Sequence, residues 1–129
     1  MGNTRRAAER RAHDEAPTVP AATVQPTRYE VSCLPEGEDR RHFALTVEYR
    51  GADRWAVARH GQCLAADGTW SYEPSPSNRE DDWIEAHRFD LDTALRLARE
   101  AAPLLTVNGY TVTDALEMAE HRASRGAGA

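Results

Sequence analysis

Four groups of residues in this 129-residue chain have types and spacing that chemistry could use. The first is His60-Gly61-Gln62-Cys63, which sets a nitrogen and a sulfur ligand two residues apart, the spacing of half a zinc site. A structural zinc needs four ligands, and the others would have to come from Cys33, His42 or His87, on three further elements. Read as base and nucleophile, the same pair lacks a third group to orient it. No metal and no cofactor are therefore expected. The second group, Glu80, Asp81, Asp82 and Glu85, could hold Mg²⁺ or supply an acid and a base, but adjacent carboxylates after a Pro/Ser loop read as a solvated charge run.

Trp70, Tyr72 and Trp83 form the third group, gathered around the loop that contains Pro74 and Pro76. Large rings with a polar handle give much contact area at small entropic cost, so these three are the candidate partner-binding residues. The competing reading is that aromatic residues on strands pack inward; Trp55 belongs to the core on either reading. The fourth group is Arg88, Arg96 and Arg99, on or beside one helix. Asp92, Arg96 and Glu100 follow one another at i, i+4 spacing, so Arg96 is neutralised where it stands and only Arg99 has no acidic neighbour at that spacing. That makes an amphipathic lid rather than a recognition helix. No phosphate loop, dinucleotide glycine motif, HExxH or nucleophile elbow is present, so an enzyme is disfavoured and no catalytic residue is expected.

These groups need elements to hold them. Tyr29, Val31 and Cys33 alternate with polar residues, and Phe43, Leu45, Val47 and Tyr49 do so more cleanly; both runs predict strands with one buried face. The short connection 51–54 turns the second strand into a third containing Trp55 and Val57, and Asp67-Gly68 precedes a fourth at Trp70 and Tyr72. Residues 83–89 are ambiguous and favour a fifth strand, because a strong helix start follows: Asp90 as cap, Asp92 in the first turn, and Pro103 as the stop. Leu91, Ala94, Leu95, Leu97 and Ala98 share one arc of that helix. Asn108-Gly109 signals a tight hairpin, after which Thr111 or Thr113 caps a last, weakly apolar helix ending near residue 122.

Composition bounds what such a chain can do. One core is affordable at this length, and no apolar run reaches the roughly 18–20 residues of a membrane span. Residues 1–27 lack an apolar stripe and contain Pro17, Pro20 and Pro26, which predicts a disordered tail; residues 123–129 are expected to be another, leaving 28–122 as the single domain. No secretory signal is readable, so a cytoplasmic location is expected, with Cys33 and Cys63 as buried free thiols. Residues 28–122 hold 11 Arg against 18 Asp and Glu, a net −7 that opposes sequence-independent binding to nucleic acid.

The stretches "RYEVSCLPE", "HFALTVEYRG", "RWAVARHGQCLAADGTWSYEP" and "REDDWIEAHRFDLDTALRLAREAAPLLTVNGYTV" resemble a group of small actinobacterial proteins of unknown function, some associated with phages or mobile elements. The resemblance spans residues 28 to about 116 and implies no activity. "RWAV" followed by "HRFDLDTALRLA" is similar at the level of fold to the sheet-plus-helix modules with which some integrases bind DNA arms, but those are strongly basic and this domain is acidic. The fold expected is α+β: a four- or five-stranded antiparallel sheet against one main amphipathic helix, with a short C-terminal helix. The expected function is a small protein-binding or regulatory module whose partner is another protein, with a nucleic-acid-binding accessory protein as the alternative.

Overall fold

Alternation in residues 28–59 becomes three paired strands in a computed structural model that describes residues 18–128. β1 (Arg28–Ser32), β2 (Ala44–Tyr49), β3 (Trp55–Arg59), β4 (Gln62–Leu64) and β5 (Trp70–Tyr72) form one antiparallel sheet in sequence order. The register sets Tyr29 opposite Val47, Val47 opposite Val57 and Leu64 opposite Trp70, so one face is apolar from edge to edge. Helix α2 (Leu91–Ala101) lies on that face through Ala94, Leu97 and Ala98, with Leu45, Val47 and Val57 almost wholly removed from water beneath it. Tyr29 and Tyr49 tilt against Trp55 with centroids 5.7 and 5.1 Å away.

The caps of α2 follow its sequence. The Asp90 carboxylate accepts from the Thr93 N–H at 2.7 Å, Arg96 pairs with Glu100 at 3.1 Å, and a 3-10 turn containing Pro103 ends the helix. Asn108 and Gly109, with φ of 51° and 83°, make the tight turn between β6 (Thr106–Val107) and β7 (Tyr110–Thr111). Thr111 and Asp114 then cap α3 (Val112–Gly128) reciprocally, each side chain accepting from the other's backbone N–H.

Two expectations need correction. Residues 83–89 are not a fifth strand: Asp81–Ala86 form a helical turn and a half, α1, with two aspartates favoured by the dipole at its start. Trp83 and His87, four residues apart, stack at 4.1 Å on one side of it. Only Phe89 joins the sheet, exchanging both backbone hydrogen bonds with Trp55 where β4 has already diverged from β3. The actual extra strand is β4, entered by a turn at His60 and Gly61 with φ of 51° and 78°. Those angles match the Asn108-Gly109 turn, and histidine is one of the few residues besides glycine that tolerates them.

The expected tail at 123 is instead a continuation of α3 to Gly128, because Ala123 and Arg125 favour helix strongly enough to carry it through Gly126. At the other end, residues 18–27 are exposed and without regular structure, although the Thr27 carbonyl accepts from the Tyr49 N–H. The rest of the expected N-terminal tail, 1–17, lies outside the described residues. Among the described residues no helix is long and apolar enough to cross a membrane.

Candidate functional site

β5 is an edge strand, and its hydrogen-bonding parity decides which groups it offers. Ala65 donates to the Thr69 carbonyl and Glu73 to that of Gly61, so residues 69, 71 and 73 point their backbone groups at β4. Trp70 and Tyr72 therefore turn theirs outward, where no strand among the described residues pairs with them. Their side chains share the apolar side of the sheet. Trp70 is half-buried against the core opposite Leu64, whereas Tyr72 is 74% exposed.

Beside this edge runs a groove of about 290 Å³ between the β4–β5 hairpin and the end of α2. Leu64, Trp70, Leu97 and Leu105 give it an apolar floor, Leu104 stands over it at 79% exposure, and Asp67 and Glu100 lie on its rim. Leu104 is exposed because the 3-10 turn forced by Pro103 swings it off the helix face.

Trp83, the third candidate, is on the opposite side of the sheet, packed against Ala56, Ala58 and Cys63. The structure brings Trp70 and Tyr72 together and leaves Trp83 apart. Its stacked neighbour His87 ties α1 down: Nδ1 lies 2.6 Å from the Trp83 carbonyl, which can only accept, so in the neutral ring Nε2 accepts from the Ser71 hydroxyl at 3.1 Å. A hydroxyl donating to an imidazole is how a nucleophile is activated, but this ring is buried under Trp83 and the pair serves as a latch between α1 and β5.

Next to the latch lies a charge network with no signature in residue spacing. Glu73 accepts from Arg88 at 2.7 Å, Arg50 at 3.0 Å and Arg79 at 3.1 Å, and Arg50 also reaches Glu48 at 3.1 Å. Arg88 is nearly buried, donates to the His87 carbonyl and places its guanidinium 5.5 Å from the centre of the Trp83 ring. Burial alone would push Glu73 up; the hydrogen bonds and charges of Arg50, Arg88 and Arg79 outweigh it and hold the carboxyl at about 2. In Glu48, too, burial is outweighed by hydrogen bonds from Thr46 and Arg50, and the group sits below its ordinary value.

His60 and Cys63 do not form a ligand pair. His60 is exposed in the turn, while Cys63 is buried beneath Trp83, where burial together with the Glu73 charge pushes its thiol up. Among the described residues no group of three His, Cys, Asp or Glu side chains could hold a metal ion. Cys33, expected to be buried, is exposed just past the end of β1. Compared with known protein families, with curated proteins and with solved structures, the chain matches none.

Proposed function

We propose that this protein is a binding module that takes an extended segment of another protein along β5, completing the sheet with a sixth strand. The observation that carries this reading is the unpaired outer edge of Trp70–Tyr72 lying directly beside an apolar groove. Main-chain bonds to an edge supply affinity without regard to sequence, and a pocket for alternate side chains supplies the choice of partner. Here every second side chain of the incoming strand would meet Trp70 and Leu104, and the acidic rim of Asp67 and Glu100 favours a lysine or arginine near the apolar residue. The net −7 of residues 28–122 supports a basic partner segment on the same grounds.

The edge offers a test that leaves the fold alone. Because the Tyr72 N–H faces outward, Tyr72→Pro removes a donor the sheet itself does not use. Random peptides displayed against the full chain should enrich for alternating apolar residues with a flanking base, and their binding should shift the amide resonances of Trp70 and Tyr72. Tyr72→Pro and Leu104→Glu should each weaken that binding at least tenfold while staying within about 1 kcal/mol of the parent in stability. Peptides that bind both variants undiminished would place the site elsewhere. Sequence-preferring duplex binding that persists at physiological salt would replace this reading with the nucleic-acid one.

A further inference from the structure

α3 leaves the domain as it runs. Val112 and Ala115 are buried and Ala119 is half-buried, but every residue from Glu120 to Gly126 is exposed, and the last ion pair that ties the helix down among the described residues is that of Arg122 with Asp39. Tyr110 and Met118, each about half exposed, wall two adjoining cavities: one of about 510 Å³ bounded also by Asp114 and His121, and one of about 160 Å³ bounded also by Phe43 and Val107. The charges of α3 do not neutralise one another. Asp114, Glu117 and Glu120 occupy its first half and His121, Arg122 and Arg125 its second. No acid stands three or four residues from an arginine, whereas in α2 Arg96 meets Glu100 at that spacing. The helix dipole favours such an order, but it acts within the first and last turns, and Glu117, Glu120 and His121 lie between them. Asp114 spends one carboxylate oxygen on the Thr111 N–H, while His121 and Arg125 make no hydrogen bond or ion pair among the described residues.

We infer that α3 is the interface with a second copy of this chain, the two helices pairing antiparallel about a twofold axis. Asp114, Met118, His121 and Arg125 are spaced four, three and four residues apart, which sets them in one stripe, as along the seam of a coiled coil. An axis passing between Met118 and His121 puts Asp114 opposite Arg125 and Met118 opposite His121, each contact occurring twice. A parallel pair would instead set Asp114 on Asp114 and Arg125 on Arg125, so the charges choose the direction. Each Met118, exposed in the single chain, leaves water against the helix of the other copy. None of these residues lines the groove beside β5, so the dimer does not draw on the peptide site. One helical stripe buries less than the roughly 1,200–2,000 Å² of a standard interface, which makes the pair weak and reversible, with a dissociation constant on the order of 0.1 mM.

The test is sedimentation equilibrium of the full chain over a concentration series that brackets that constant. A reversible rise from monomer to dimer is expected, weakening as salt screens the paired charges. Arg125 is exposed, so Arg125→Glu should melt with the parent, and by setting a glutamate against Asp114 at both ends it should weaken the dimer at least tenfold. Arg99→Glu, which reverses an exposed arginine on α2, should change nothing. The direction is read by disulfide formation in a Cys33→Ser background: a mixture of Met118→Cys and His121→Cys chains should crosslink faster than either alone. A chain monomeric at every concentration would overturn the assignment and leave this face to a different protein. A dimer that survives Arg125→Glu but is lost in Leu104→Glu would overturn it by moving the second copy to the β5 edge. Equal losses in Arg125→Glu and Arg99→Glu would mark a general charge effect, and faster crosslinking of Met118→Cys with itself would mark a parallel pair; either result rejects the antiparallel interface.

Discussion

On one side of the sheet Leu45, Val47 and Val57 lie beneath α2 in a continuous apolar layer; on the other, Ala56, Ala58 and Cys63 sit under a single tryptophan, and a network of three arginines and two glutamates begins at their border. The first face is held by volume and by apolar area removed from water, which depend little on direction or pH. The second is held by a few directional contacts that must all be present together, since a nearly buried Arg88 without its carboxylate is worse than no charge at all. Stability on the two faces should therefore fail in different ways.

The largest effect should come from the apolar face. Leu45→Ala should cost about 3–5 kcal/mol in urea unfolding, because nothing beneath α2 can collapse into the space; a loss under about 1 kcal/mol would mean the layer is loosely packed. Trp83→Ala should come next, at about 3 kcal/mol, the low end for a tryptophan, since its ring is only half-buried but covers Ala58 and Cys63, stacks on His87 and meets Arg88. It should also expose the Cys63 thiol to labelling, which Leu45→Ala, acting from the far face, should not.

Glu73→Gln should cost about 1.5–3 kcal/mol by removing the negative charge that Arg50, Arg79 and Arg88 share, although Arg50 keeps Glu48. Its diagnostic is acid dependence. Glu73 is held at about 2 in the fold against an ordinary 4.5, so its contribution is complete above about pH 4.5 and is lost as pH falls toward 2. The parent should lose stability across that window and Glu73→Gln should lose less; parallel curves would remove the network from the account. The smallest effect is a count: a thiol reagent should modify Cys33 in the native protein and leave Cys63 untouched until unfolding.

The apolar face was legible because alternation and helical period are local: Leu45, Val47 and the Leu91–Ala101 arc declare their partners' location by spacing alone. The network was not, because Glu73 and Arg88 are separated by a loop and a helix and meet only after both have folded. Two errors had readable signals. His60-Gly61 joins Arg59 to Gln62 as a tight-turn pair, but its signal is weaker than that of Asn108-Gly109 because histidine takes a positive φ less readily than asparagine. Trp83 and His87 sit at helical spacing, a sign that 83–89 was not extended. Of the three candidate binding residues, nothing in the spacing separated Trp83 from Trp70 and Tyr72; that required knowing on which side α1 passes.

The bridge between Phe89 and Trp55 bears on the order in which the molecule assembles. β1 to β4 are neighbours in sequence and can zip as successive hairpins, whereas Phe89 returns to β3 only after β5 and α1 have intervened. The Trp55 amide donates to the Phe89 carbonyl, not to another strand of the meander. Its hydrogen exchange thus reports the docking of the 81–89 segment, while that of Tyr49, which donates to Thr27, reports the β1–β2 pairing. Faster exchange at Trp55 than at Tyr49 would identify α1 and its latch as a unit that opens while the meander stays closed.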